Sequence, residues 1–156
     1  MLTNNVTRML EAKKIHFQAF EVPAEKLSAL EVADILKVPA DDVYKTIVAS
    51  RAKPGKPILA VVPGPLEVDI KKLATALSEK KVFITTLNEA EALTGLLAGG
   101  ISPLALINKG FQVLIDAYAQ GKETILVSAG QRGLQVRLSP ADLSNFCNGQ
   151  FADIAG

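Results

Sequence analysis

The segment Thr94–Pro103 has the sequence TGLLAGGISP, in which Gly99 and Gly100 directly precede an Ile-Ser-Pro run. Glycine lets the backbone adopt positive φ and approach a ligand closely. Consecutive exposed amides in such a turn can bind a phosphate, or the oxyanion that forms during acyl transfer. Pro103 would stiffen the exit of the loop. The same composition also fits an ordinary tight turn, which is the more frequent structure for it.

A second candidate is the pair Lys45-Thr46, which lies inside the apolar run Val43–Ala49. An unpaired charge within a buried strand is energetically unfavourable. Lys45 is therefore expected either to face a cleft or a partner, or to extend from an edge strand into water. The residue pattern favours neither interpretation over the other.

A third candidate is the turn in Val127–Gly133, with the sequence VSAGQRG, which follows an apolar run. Its small residues allow a sharp turn, and Ser128 would bring a hydroxyl and backbone groups into the same cleft as the other two segments. A plain hairpin turn is the more frequent structure for such a pattern.

The chain lacks the pairs of side chains on which most nucleophilic enzymes rely. It has one histidine, His16, and one cysteine, Cys147, so an internal disulfide is excluded and a metal centre is not expected. No GxxxxGK[ST] or GxGxxG loop, HExxH motif or GxSxG elbow is present, and no cofactor is expected. His16 is expected at a strand end and Cys147 packed in a helix. Catalysis would have to use backbone groups, lysine, hydroxyls or the substrate itself.

The pattern of apolar residues and caps predicts an α+β fold, with one mixed β-sheet flanked by helices. Ser28 with Glu31 forms a capping-box pattern, Asp69 can cap a helix, Asn88 with Glu91 suggests another cap, and Ser139-Pro140 is a strong helix start. Residues 52–57 are predicted to form a hairpin loop. The predicted helices are 4–14, 29–36, 70–77, one capped at 88, and 140–147; the predicted strands are 16–22, 43–49, 58–62, 82–85, 113–116, 123–128 and 134–138.

Length and charge limit the class of protein. The 156 residues, 49% of them hydrophobic, fit one domain spanning residues 1–156. No apolar run approaches the ~20 residues that cross a bilayer, and no signal peptide is evident, so the cytoplasm is the expected compartment. The net charge of +1 is too small for binding along a long nucleic-acid backbone. A tRNA-binding protein of this charge would contact only the acceptor end, or gain affinity from a partner.

Four segments together resemble the YbaK/EbsC family, and in particular its YbaK-type Cys-tRNA(Pro) deacylases. They are VYKTIVA at 43–49, TGLLAGGISPL at 94–104, VSAGQRGL at 127–134 and FADI at 151–154. The motifs occur in the same order, and the likeness covers nearly the whole chain. The resemblance implies a fold like the editing domain inserted in bacterial prolyl-tRNA synthetases. It also implies trans-editing, the release of a wrong amino acid from the 3′ end of tRNA.

The resemblance also implies roles for individual residues. Lys45 would be the essential lysine that holds the terminal nucleotide or its phosphate, and Gly100 would offer backbone contacts to the reacting ester. Ser128 would correspond to the family's serine. The remaining residues expected to contact substrate are Phe20, Thr46, Gly99, Ile101, Ser102 and Pro103. The chain departs from its relatives at three positions: Phe20 replaces a frequent tyrosine, Ala129 a frequent glycine, and Gln135 an acid.

The resemblance also implies a mechanism in which the substrate cysteine attacks its own ester, and the lack of a protein nucleophile agrees with it. A thiol with pKa ≈ 8.5 is partly ionised at neutral pH, whereas an alcohol is almost fully protonated. The expected partners are the acceptor end of aminoacyl-tRNA and prolyl-tRNA synthetase. Two alternatives stay open. One is a deacylase for another amino acid, such as Ala-tRNA(Pro), which the Phe20 departure motivates. The other is a non-catalytic module that binds a nucleotide or aminoacyl group.

Overall fold

The computed structural model describes residues 2–156. Its helices and strands alternate irregularly along the chain, as expected for an α+β protein. The helices are α1 (Asn5–Ala12), α2 (Ala29–Leu36), α3 (Ile70–Ala76), α4 (Leu87–Thr94) and α5 (Pro140–Cys147). The strands are β1 (Phe17–Glu21), β2 (Tyr44–Arg51), β3 (Ile58–Pro63), β4 (Val82–Ile84), β5 (Gln112–Asp116), β6 (Ile125–Ser128), β7 (Leu134–Leu138) and β8 (Gln150–Ala152).

Polar caps determine where most helices begin. The Ser28 hydroxyl accepts from the Glu31 amide, and the Glu31 carboxylate accepts in return from the Ser28 amide, so the predicted capping box is confirmed. Asp69 caps α3 and Ser139 caps α5, as the sequence predicts. The cap predicted at Asn88 is wrong.

Helix α4 begins two residues earlier than a cap at Asn88 would allow. Its cap is Thr86, whose hydroxyl accepts from the Glu89 amide in a second capping box. The Thr-x-x-Glu pattern fits the capping box better than Asn-x-x-Glu, and Thr86 has the extended backbone that a cap requires. Asn88 therefore lies inside the first turn of the helix.

The prediction of a single sheet is wrong, because the strands form two sheets. The first has three antiparallel strands in the order β1-β7-β6, and the second has five strands in the order β4-β2-β3-β5-β8. The early strand β1 pairs with the late strand β7, a partnership that apolar patterns cannot reveal. An isolated parallel bridge between Val43 and Leu126 joins the two sheets at the start of β2.

The core is aliphatic and lies mainly between the two sheets. Its largest cluster combines Leu59 and Val61 of the five-stranded sheet with Val127 and Val136 of the three-stranded sheet. A second cluster lies where α3 covers the five-stranded sheet, and a third where α2 covers the three-stranded sheet. Among residues 2–156, no helix is long and apolar enough to cross a membrane.

Candidate functional site

Strand β2 has an open edge where the two sheets meet. Just after β3, the Gly64 amide donates to the Val43 carbonyl, so the backbone groups of odd-numbered residues in and next to β2 point towards β3. Just after β4, the Thr85 amide donates to the Val48 carbonyl, so those of even-numbered residues point to the other edge. The amide and carbonyl of Thr46 therefore point to that other edge. That edge lies between the bridge at Val43 and the beginning of β4 pairing, and leaves these groups available to a ligand.

Lys45 lies at this edge with its ammonium group held by two oxygen atoms. Its Nζ donates to the Gly64 carbonyl at 3.2 Å and to the Glu67 carboxylate at 3.1 Å. The Lys45 side chain is 23% exposed, whereas that of Glu67 is 80% exposed. An ion pair with one well-solvated partner contributes little stability, so an anionic ligand can replace Glu67.

The glycine turn packs closely against two other segments. Gly99 has φ +89°, and a Cβ there would lie 3.1 Å from Cα of Lys26. A Cβ on Gly100 would lie 2.8 Å from the carbonyl carbon of Gln131. Only glycine fits the Gly100 position without movement of the neighbouring backbone, so the turn is held in place by packing.

The two glycines of the turn differ in whether their amides have a hydrogen-bond acceptor. The Gly100 amide donates to the Leu97 carbonyl at 2.9 Å, and Gly100 is buried outside the cavity described below. The amides of Gly99 and Ile101 have no acceptor within residues 2–156. Backbone contacts to a ligand, predicted for Gly100, are therefore available from Gly99 and Ile101.

Two other predicted loop residues also support the turn from within the fold. Ser102 is fully buried, and its hydroxyl accepts from the Leu104 amide at 3.2 Å to begin a short 3₁₀ helix. Pro103 is buried in that helix. The Arg132 guanidinium donates to the Ala98 carbonyl at 2.7 Å, which fixes the other end of the turn. Ser102 and Pro103 are not among the residues lining the cavity.

Three neighbouring residues form a row across the three-stranded sheet. Gln135 on β7 pairs with Ser128 on β6 and with Phe20 on β1. The Ser128 hydroxyl accepts from the Gly130 amide at 3.2 Å. Phe20 packs on the α2 cluster beneath the Arg137 guanidinium, 5.3 Å from its ring centre, and is not among the cavity-lining residues.

These segments enclose a cavity of about 480 Å³. Of the residues predicted from sequence, it brings together Lys45, Thr46, Gly99, Ile101 and Ser128. The α2 region and Glu67 also line the cavity, which the sequence did not predict. Gln135, noted from sequence only as a departure from relatives, lines it too. The cavity-lining residues that the sequence did not predict include Lys26, Leu27, Ser28, Ala29, Leu30, Glu31, Gly64, Glu67 and Gln135. Gln135 occupies a polar position of the alternating strand LQVRL, so its sequence context does not distinguish it from a surface residue.

A larger cavity of about 950 Å³ lies elsewhere, beside α1 and the turn after β6. Its charged lining residue is Arg8, whose guanidinium donates to the Asn5 carboxamide. The smaller cavity combines an ammonium group, unpaired amides and a hydroxyl, so we take it as the candidate site despite its smaller volume.

No cysteine or histidine is among the described residues that line this site. Burial raises the pKa of the Cys147 thiol to about 11, and the thiol donates to the Leu143 carbonyl within α5. His16 is exposed just before β1. In the described part of the chain, no three His, Cys, Asp or Glu side chains come together as metal ligands would.

Comparison with known proteins identifies related chains. The family model described as the aminoacyl-tRNA editing domain matches residues 24–146. EbsC of Enterococcus faecalis, which carries the provisional name Cys-tRNA(Pro)/Cys-tRNA(Cys) deacylase, is 40% identical over 152 residues, or 96% of this chain and 92% of its own. A proline–tRNA ligase of Staphylococcus aureus is 28% identical over 116 residues, which are 74% of this chain and 20% of the ligase.

Solved structures show the same fold. A hypothetical protein has a TM-score of 0.88 at 20% identity, with 98% of this chain and 100% of that chain covered. A protein provisionally described as a trans-editing enzyme for prolyl-tRNA synthetase has a TM-score of 0.82 at 23% identity, covering 100% and 99%. Both likenesses cover nearly the whole chain and show that it shares their fold.

Proposed function

Because the chain belongs to the aminoacyl-tRNA editing domain family, we propose that it is a deacylase that releases wrongly attached amino acids from tRNA. The substrate we propose is Cys-tRNA(Pro). One observation carries this proposal: Lys45 and the glycine turn line one cavity whose described lining holds no cysteine or histidine nucleophile. The likeness to EbsC, named for Cys-tRNA substrates, supports the choice of amino acid.

The cavity can hold the 3′ end of a tRNA at its Lys45 side. The ammonium group of Lys45 would bind the terminal phosphate, with Glu67 moving away into solvent. The free amide and carbonyl of Thr46 offer hydrogen bonds to the terminal nucleoside along the open edge of β2. Residues 1–156 would act together as one editing domain.

The reaction needs no protein nucleophile if the substrate supplies one. The cysteine sulfur attacks the ester carbonyl carbon, so that a C–S bond forms and the C–O bond to the ribose breaks. The ribose oxygen takes the thiol's proton, and water then opens the cyclic thioester to give free cysteine. The amides of Gly99 and Ile101 would stabilise the oxyanion that forms on the way, at roughly 2.7–4 kcal/mol for each donor.

The chemistry of the substrate side chain explains why neither alanine nor proline would react by this route. Neither side chain has a group that can attack the ester, so discrimination comes from chemistry as well as shape. Shape alone separates side chains that differ by a methylene only ~10–200-fold. Phe20, the departure that motivated alanine as the alternative amino acid, packs on the α2 cluster and does not line the cavity, so it does not favour alanine over cysteine.

The small net charge of the chain leads us to propose prolyl-tRNA synthetase as a partner. With a net charge of +1, the protein has little general attraction for the tRNA backbone. Prolyl-tRNA synthetase would bring the mischarged tRNA to it, in the cytoplasm where that synthetase works. A non-catalytic binding module is the alternative outside this class, and release of an amino acid by the purified chain would reject it.

The first experiment replaces Lys45 with alanine. Lys45→Ala should lower release of cysteine from Cys-tRNA(Pro) by at least about 100-fold, because the phosphate would lose its charged partner. Lys53→Ala, at an exposed loop position, is the matched control and should keep full activity. A folded Lys45→Ala variant with normal turnover would disprove the role of this lysine.

A further inference from the structure

Gln135 is the feature of the cavity that the mechanism above does not use. Its side chain is 5% exposed in β7, between Leu134 and Val136, which face the main core. Its Oε1 is buried and has no hydrogen-bond partner within the described residues. A buried acceptor without a donor is destabilising, and in native proteins such a group requires an explanation.

The position of Gln135 connects it to the substrate rather than to the core. It lines the same cavity as Lys45 and is the direct cross-strand neighbour of Ser128. Its side chain points to the face opposite Leu134 and Val136, because successive residues of a strand alternate between faces. Gln135 therefore lines the cavity from the three-stranded sheet, on the same face as Ser128, and its buried oxygen has no partner among the described residues.

The acidic groups of the cavity are already engaged. Glu31 accepts the Ser28 amide in the cap of α2, and Glu67 accepts from Lys45. Glu31 is committed to the cap of α2, and Glu67, whose side chain is 80% exposed, moves into solvent when the phosphate binds Lys45. An aminoacyl ester carries such a group, its α-ammonium, next to the carbonyl carbon that reacts.

We propose that Gln135 binds the α-amino group of the aminoacyl ester by accepting an N–H from it. The substrate is then held at two ends, with its phosphate at Lys45 on one sheet and its amino group at Gln135 on the other. An amide acceptor adds no negative charge near the reacting sulfur, so it does not oppose formation of the thiolate. This inference rests on the proposed function for the identity of the substrate.

The test compares two substrates that differ only in the amino group. Cysteinyl-tRNA(Pro) has it, and 3-mercaptopropionyl-tRNA(Pro) has the same ester and thiol without it. The wild-type protein should prefer the first by about 10- to 100-fold in kcat/KM, the range of a hydrogen bond to a charged group. Gln135→Met, which has a similar shape, should remove most of that preference and leave the rate with the second substrate nearly unchanged.

Two further variants separate binding from structure. Gln135→Glu keeps an acceptor and should keep the preference for the amino group. Gln18→Met makes the same replacement at an exposed position on the same sheet and should change neither rate. Because Gln135→Met removes an unpartnered buried amide, its melting temperature should be at or above that of the wild type. Equal losses with both substrates, or no loss with either, would overturn the proposal.

A binding measurement keeps the two proposals distinguishable. Adenosine carrying cysteine through a 3′-amide cannot be hydrolysed as an ester and can be compared with its 3-mercaptopropionyl counterpart by calorimetry. Tighter binding of the cysteinyl compound, lost in Gln135→Met, would support the role of Gln135 even if no tRNA were deacylated. Equal binding of both compounds by the wild type would refute it, whatever the turnover.

Discussion

At the scale of single residues, Lys45 shows how a charge is kept within an apolar strand. The Gly64 carbonyl and the Glu67 carboxylate replace part of the water that its ammonium group loses. The structure agrees with the first interpretation of the sequence, in which Lys45 faces a cleft; β2 lies inside its sheet, and the ammonium group binds protein oxygens instead of extending into water. An exposed carboxylate is a replaceable partner, which agrees with the phosphate-binding role proposed for Lys45.

Cys147 has the opposite character and is not expected to react. Since burial raises the pKa of its thiol to about 11, the thiolate is scarce below that pH. Cys147→Ser should therefore retain within about 2-fold of wild-type deacylation, measured by release of labelled cysteine from tRNA. A folded but inactive Cys147→Ser variant would place the nucleophile on the protein instead of on the substrate.

The pH dependence should report the substrate's thiol. The reactive form is the thiolate, so deacylation should rise about 10-fold per pH unit below the thiol pKa of ≈ 8.5 and level off above it. Single-turnover rates between pH 6 and 9 would measure this, with the chemical stability of the ester subtracted at each pH. A rate independent of pH over that range would exclude attack by the substrate thiol.

At the scale of elements, the glycine turn is positioned by contact with the turn after β6. A Cβ at Gly100 would meet the backbone of Gln131 and Arg132 at 2.8–2.9 Å. Gly100→Ala should lower the free energy of unfolding by about 1–3 kcal/mol and reduce deacylation, because the turn must shift. Gly121→Ala is the matched control, since a Cβ there meets nothing within 4 Å. Urea unfolding of both variants gives the comparison, and equal stabilities would show that the turn tolerates displacement.

Local patterns predicted most elements, and the errors arise where the information is not local. Ser139-Pro140 and the Ser28 capping box fix their helices through neighbours in sequence, and both predictions are confirmed. The single-sheet prediction failed because β1 finds its partner β7 more than a hundred residues away. Strand β8 was missed because Gln150–Ala152 contains no β-branched residue, whereas the equally short β4 has Val82 and Ile84.

The candidate site could be predicted only in part for the same reason. Lys45, the glycine turn and Ser128 each have a visible local signal, and the structure brings them to one cavity. Glu67 was not predicted, since its role depends on where β3 ends relative to β2. Gly100 was predicted to contact the ester, yet its amide is used within the turn, a detail that only backbone geometry reveals.

At the scale of the whole molecule, the near-neutral charge predicts weak binding of tRNA by the isolated protein. Few phosphates would be neutralised, so affinity should be low and should depend little on salt. Adding prolyl-tRNA synthetase should increase deacylation at low tRNA concentration by forming a shared complex. Filter binding and kinetics with and without the synthetase would measure this, and tight binding of tRNA by the protein alone would contradict it.

The two sheets bring together segments that are far apart in the chain, and their shared cavity has no Cys or His nucleophile among its described lining residues. The most direct test is a panel of tRNA(Pro) charged with cysteine, serine, alanine or proline and treated with the purified protein. Cysteine should be released at least about 100-fold faster than the other three, because it alone carries an ionisable thiol. Release of alanine or serine as fast as cysteine would contradict the account.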